Sequence, residues 1–238
     1  MGTDETRFNQ KNLNGFMQFY VINTKPSGDE VIERYRTDFK FDDNDARGDA
    51  PKCPHCGSFI GMFECLPPYH AHLETWGEDF GDLAFWLTEF LVSRKFRDEY
   101  KKTGLKWLSS FMPVEVLSQK RYGKTRGKRL KPPEYFRVFP KIGAAKIDLE
   151  ASGVEWEDNK RPTCEKCLSG IKRSWQHVVV DKKSWNEDDI FYAFGIPGEL
   201  LASSRFYEWA RAHEFRNLIM KPAIECSHDF FPWKRIST

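Results

Sequence analysis

EFLVSRKFRDEYKKTGLKWL, residues 89–108, and ELLASSRFYEWARAHEFRNL, residues 199–218, align end to end without a gap. Glu89 meets Glu199, Leu91 meets Leu201, Ser93 meets Ser203, Phe96 meets Phe206 and Leu108 meets Leu218. A proline-containing extended stretch follows each copy, FMPVEV at 111–116 and MKPAIE at 220–225. A short apolar strand ends at Ser93 or Ser203, whose hydroxyl can cap the helix that follows. That helix is expected to run about three turns, with Phe96 and Tyr100 at i, i+4 on one face. Gly104 is expected to end it in the left-handed conformation, and a second strand then returns. Chance likeness between two amphipathic segments is the alternative. The shared Glu-x-Leu-x-Ser-x-x-Phe pattern and the similar strand after it favour a true repeat.

Working outward, each copy follows a C-x-x-C pair, CPHC at 53–56 and CEKC at 164–167. The expected fold is α+β: two related strand–helix–strand halves joined by a four-cysteine zinc knuckle pair. The boundaries are a flexible N-terminus at 1–15, an N-terminal half at 16–118, a basic linker at 119–135 and a C-terminal half at 136–230, packed as one compact unit. FMQFYVINT at 16–24 reads as a strand.

The cysteines carry the chemistry. Two residues between cysteines let both thiolates of a tight turn reach one ion, and four such sulfurs close a tetrahedron around zinc. Cys53, Cys56, Cys164 and Cys167 are therefore the candidate metal ligands. Gly57 suits a knuckle turn that needs a residue without Cβ; the second pair has no glycine until Gly170. The stretch from Cys56 to Cys164 far exceeds a zinc ribbon's spacing, so a whole subdomain must sit between the pairs. Free buried thiols in two separate turns, or a redox C-x-x-C, are the alternatives. A redox site needs a βαβ context, whereas Pro51, Pro54 and Gly57 read as a loop. Cys65 and Cys226 stand alone and are expected to be core thiols.

Composition sets limits. Of 238 residues, 40% are hydrophobic and 30% charged, an ordinary globular balance rather than a disordered one. A net charge of +2 gives no global field to choose a partner. No apolar run approaches the roughly 20 residues needed to cross a bilayer. No basic-then-apolar leader is present, so the expected compartment is the cytoplasm. MGTDET matches an acylation pattern only formally.

Other segments compete for attention. FDDNDARGDAP at 41–51 invites a calcium reading but lacks the closing glutamate of a calcium loop. His70 and His72 would share a strand face, where a structural role is the commoner one. The run 121–131 carries Arg121, Lys124, Arg126, Lys128, Arg129 and Lys131 and suits salt-sensitive phosphate binding or a solvated loop. Only Tyr122 and Tyr135 stand near it as stacking aromatics. No catalytic constellation emerges: there is no nucleophile elbow, phosphate-cradling loop or zincin motif. Pro51-Lys52-Cys53 also breaks the deaminase pattern. Glu187-Asp188-Asp189 reads as the polar stretch before a strand.

The chain resembles a family of bacterial immunity proteins described by a double CXXCG motif. The resemblance rests on Cys53-Pro54-His55-Cys56-Gly57, on Cys164-Glu165-Lys166-Cys167, and on the block from Asp181 to Glu225, with DKKS at 181–184 leading to DIFYAFGIPGELLASSRFYEWARAHEFRNLIMKPAIE. The departure is the missing glycine after Cys167. The resemblance implies a non-enzymatic cytoplasmic protein that binds a cognate protein toxin by occlusion, with zinc in a structural role. The run 121–131 suits an acidic toxin and the loop 41–50 a basic one. The alternative is a zinc-ribbon protein that binds nucleic acid through 121–131.

Overall fold

Alternation of apolar and polar side chains with a period of two builds the longer strands of this chain. In β2 (Thr37–Phe41), Phe39 and Phe41 are buried while Lys40 between them is exposed. In β3 (Tyr69–Thr75), Tyr69, Ala71 and Leu73 are buried while His70 and His72 are only half-buried. The structure, a computed structural model, describes residues 18–23, 34–43, 45–61, 63–86, 89–108, 110–122, 127, 130–140, 142–157, 162–196 and 198–230. The N-terminal segment 1–15, its acylation pattern, and Lys124, Arg126, Lys128 and Arg129 lie outside the described residues.

The expected α+β class is overturned. Among the described residues there are fourteen strands and two short α-helices, so the chain is mostly β. β4 (Leu83–Trp86), β5 (Glu89–Ser93), β6 (Met112–Arg121) and β7 (Tyr135–Arg137) join β2 and β3 in a closed barrel, in the order β2-β3-β6-β7-β5-β4. A second, five-stranded sheet has the order β13-β1-β12-β11-β8. Its strands are β1 (Phe19–Asn23), β8 (Ile142–Lys146), β11 (Ile190–Phe194), β12 (Leu200–Ser203) and β13 (Ile219–Pro222). A small third sheet holds β10 (Lys172–Trp175) between β9 (Glu155–Trp156) and β14 (His228–Asp229). The physical reason for the difference lies in helix length. α1 (Arg94–Tyr100) has seven residues and α2 (Ser204–Ala212) nine, too few to form a layer of their own. Gly104 does not take a left-handed conformation. α1 ends earlier, at Tyr100, where the Thr103 hydroxyl donates to the Tyr100 carbonyl at 2.7 Å.

Sheet order shows how the two halves correspond. β6-β7-β5-β4-β2 in the barrel matches β13-β1-β12-β11-β8 in the open sheet. β5 is antiparallel to β4 and β7, as β12 is to β11 and β1. β2 is parallel to β4, as β8 is to β11. β1 thus enters from the other end of the chain to fill in the second sheet the place that β7 fills in the barrel. The boundary drawn at 118/119 falls inside β6, and that at 135/136 inside β7.

The pleat sorts the core into layers. Alternate residues of β4, β5 and β7 (Ala84, Leu91 and Tyr135) fill the barrel with Phe39, Phe41 and Leu73. Their neighbours Leu83, Phe85, Phe90, Val92 and Phe136 face outward into a central core shared with Tyr20, Ile22, Ile190, Leu200 and Ala202 of the second sheet. Phe19, Val21, Phe191 and Leu201, on that sheet's other face, close a third cluster with Trp175 and Val180. The helices meet in the central core, with the Phe96 and Phe206 rings 6.4 Å apart and both fully buried.

Two buried aspartates tie the halves together. Ser93 caps α1 by accepting from the Phe96 N–H at 3.2 Å, and its hydroxyl donates to Asp82 at 2.8 Å. Ser203 caps α2 in the same way, and its hydroxyl donates to Asp189 at 2.7 Å. The other oxygen of each carboxylate crosses to the opposite half. Asp82 accepts the Arg216 N–H at 3.0 Å, and Asp189 accepts the Lys106 N–H at 2.7 Å. Lys106 and Arg216 occupy equivalent places in the two aligned segments, as the two serines do. Trp107 and Asn217, which follow them, both hold positive φ.

Removing either carboxylate orphans a capping serine and a backbone N–H at once. Asp82→Ala and Asp189→Ala are each expected to destabilise by roughly 3 kcal/mol. Ser93→Ala and Ser203→Ala remove the cap and one donor to the carboxylate, and are expected to cost about 2 kcal/mol each. Urea denaturation of the four variants checks the ranking.

Candidate metal centre

Each C-x-x-C pair sits in a tight turn, the first between β2 and β3, the second between β9 and β10. In the first, the Gly57 N–H donates to the Cys53 carbonyl at 2.9 Å, and Gly57 has φ +75°. In the second, the Leu168 N–H donates to the Cys164 carbonyl at 2.8 Å, and Leu168 has φ +53°. The two turns share one geometry although only one has the glycine. A side chain in the left-handed region costs roughly 1–2 kcal/mol, so the second turn holds Leu168 against a backbone penalty.

The turns bring all four predicted residues together. The sulfurs of Cys53, Cys56, Cys164 and Cys167 lie within 4.8 Å of one another. Cys56 and Cys167 are 3.7 Å apart, well beyond the roughly 2.05 Å of a disulfide. Cys53, Cys164 and Cys167 are buried, and Cys56 is exposed. Ile60 and Phe194 pack on the buried three. Four thiolates this close repel one another, and a cation among them turns the repulsion into ligation. The cluster is a possible metal site.

The environments of the four sulfurs differ. Hydrogen bonds from the side chain and backbone of Ser58 pull the Cys56 thiol down to about 6. Burial pushes Cys167 up to about 11. Ser169 Oγ stands 4.0 Å from Cys56, so both turns offer a hydroxyl to the exposed sulfur. Lys172 Nζ donates to the Leu168 carbonyl at 2.9 Å and lies 4.6 Å from the centre of the Trp156 ring. Burial pushes its ammonium down to about 8, and Cys167 pulls the other way. Sequence reasoning passed over Ser58, Ser169 and Lys172. The available signal was Leu168, which follows its C-x-x-C pair at the place Gly57 holds after the first.

The other described candidates make contacts within the fold. Cys65 is fully buried in the barrel core, and Cys226 packs partly buried against the third cluster. His70 and His72 do share one face of β3. His70 Nδ1 lies 2.7 Å from Asp45 Oδ1, and His72 Nε2 lies 2.9 Å from Asp42 Oδ2. These pairs pin the acidic loop to the barrel, and the Asp45 hydrogen bond raises the His70 pKa. In the basic run, Arg121 is buried and donates to the carbonyls of Gly77 and Glu78, both at 3.1 Å. Tyr122 stacks on Trp76 at 4.9 Å, and Tyr135 is buried with its hydroxyl on the Gly81 carbonyl. No helix among the described residues is long and apolar enough to cross a membrane.

Compared with protein-family models and with curated proteins, the chain matches none.

Metal analysis of purified protein is expected to find one ion per chain, lost in Cys164→Ser with a drop in Tm that chelation of the parent reproduces. Protons compete for the sulfurs, so affinity is expected to climb with pH. It falls most steeply below about 6, where Cys56 is protonated too. A competition titration across pH 5.5–8 (about the range in which thiol ligands trade protons for metal) measures the slope.

Proposed function

We propose that this chain is a non-enzymatic immunity protein, stapled by zinc, that neutralises a partner protein toxin by covering it. The observation that carries the reading is the apolar surface flanking the cysteines. Phe59 and Phe63 follow the first turn and are 61% and 57% exposed, with rings 6.2 Å apart. Ile171 follows the second turn and is 70% exposed. A cavity of about 410 Å³ opens beside Phe59, lined by Phe59, Ile60, Ile142, Leu168 and Phe194. Large exposed apolar residues beside a concave anchor site are the usual makings of a protein interface.

Zinc suits the donor set. All-sulfur tetrahedra are characteristic of zinc and iron–sulfur sites. With zinc–sulfur bonds of about 2.3 Å, the edges of the tetrahedron come to about 3.8 Å, close to the 3.7 Å between Cys56 and Cys167. Four protein ligands leave no open position for substrate or water, which supports a structural role and a non-enzymatic protein. Free thiols at this density suit a reducing compartment such as the cytoplasm.

The test is co-expression with the product of the neighbouring gene. The expected result is rescue of growth and a co-purifying complex. Phe59→Glu with Ile171→Glu should abolish both while metal content and Tm stay at parental values. Toxicity without rescue or complex refutes the reading. A salt-sensitive mobility shift with single-stranded nucleic acid would replace it with the nucleic-acid alternative.

A further inference from the structure

The second cysteine turn solves a problem the first does not have. Gly57 takes positive φ without strain, but Leu168 takes it with a side chain. Leu168 is also walled in: it is 7% exposed and belongs to the third core cluster. Its carbonyl is held by the buried Lys172, four residues on, at 2.9 Å. The first turn has no such clamp among the described residues.

Lys172 raises a second question, which is why an ammonium should be buried here. Its residue is 7% exposed. Its ammonium meets the Leu168 carbonyl and the face of Trp156, and neither carries a negative charge. A buried cation needs an anion nearby. Cys167, one of the candidate ligands, lines the same cavity as Lys172. Four thiolates around a divalent cation leave a cluster of net charge about −2, and Lys172 stands where such a charge needs compensation.

We propose that Lys172 is a positioning residue for the metal centre: it offsets the charge of the four-thiolate shell and clamps the glycine-less turn through the Leu168 carbonyl. The metal ligands thus extend outward through Leu168 and Lys172 to β10 and to Trp156, the partner of Lys172 in β9. Leu168 and Lys172 also line the cavity beside the cysteines. Metal loading and the shape of that cavity wall are therefore linked through one side chain.

Zinc itself is the probe, on the full-length chain, with a chromophoric chelator as competitor. Lys172→Met keeps the stem and removes both charge and donor. It is expected to weaken zinc binding by about 10–100-fold, the range for loss of an outer partner of a metal ligand. Lys172→Gln keeps a donor without charge, and Lys172→Arg keeps the charge. Arginine is expected to recover most of the affinity and glutamine little. Leu168→Gly in the Lys172→Met background is expected to recover the part due to backbone strain and no more. Binding by Lys172→Met as tight as the parent's overturns the proposal, and full recovery by Leu168→Gly overturns the charge role. Amine labelling of the parent, read by mass spectrometry, does not depend on a variant folding. Lys172 is expected to be protected with zinc and labelled once zinc is stripped. Equal labelling in both states refutes the clamp.

Discussion

Two carboxylates, Asp82 and Asp189, each serve two masters. One oxygen receives the hydroxyl of the serine that caps its own half's helix, and the other receives a backbone N–H of the opposite half. A buried carboxylate is stable only when its acceptor sites are filled. Asp189 also receives the guanidinium of Arg205 from its own half, yet each carboxylate takes one donor from a peptide group of the other half. The barrel and the open sheet are thus two parts of one polar closure, wrapped by the central core in which Phe96 meets Phe206.

The cysteine centre repeats this logic in different chemistry. One pair comes from each half, so the shell closes only when both are in place. The aspartate exchange works through hydrogen bonds and the cysteine cluster through four sulfurs that could hold a metal, and the two have different sensitivities. A chelator acts on the sulfurs and leaves the serine–aspartate caps intact. The apolar surface at Phe59 and Ile171 adjoins the centre that solution conditions reach most directly.

Much of the site was legible in the sequence. C-x-x-C spacing picked out all four cysteines of the cluster, and the alignment of the two repeat copies found both serine caps and the paired phenylalanines. The barrel was not legible. Strands such as LAFW and YFR are too short for periodicity to distinguish, and closure depends on pairings such as Asp38 with Phe85 that no local pattern records. Asp82 and Asp189 escaped because they lie outside the aligned windows, and Asp189 looked like one more acid in a polar stretch. Lys172 escaped because a lysine on a short strand reads as solvated until its carbonyl partner is known.

The place of β1 has a consequence for how the chain comes to be folded. Val21 pairs with Leu201 on one side and Lys221 on the other. A ribosome releases β1 long before either neighbour exists, while the barrel strands, from β2 to β7, emerge together and can pair as they appear. The nascent chain therefore carries an aromatic segment, Phe19-Tyr20-Val21-Ile22, with both edges unpaired until β12 and β13 appear. Closure of the second sheet waits for β12 and β13 and places β1 between them. A cell that makes this protein must shelter that strand until β12 and β13 have been made.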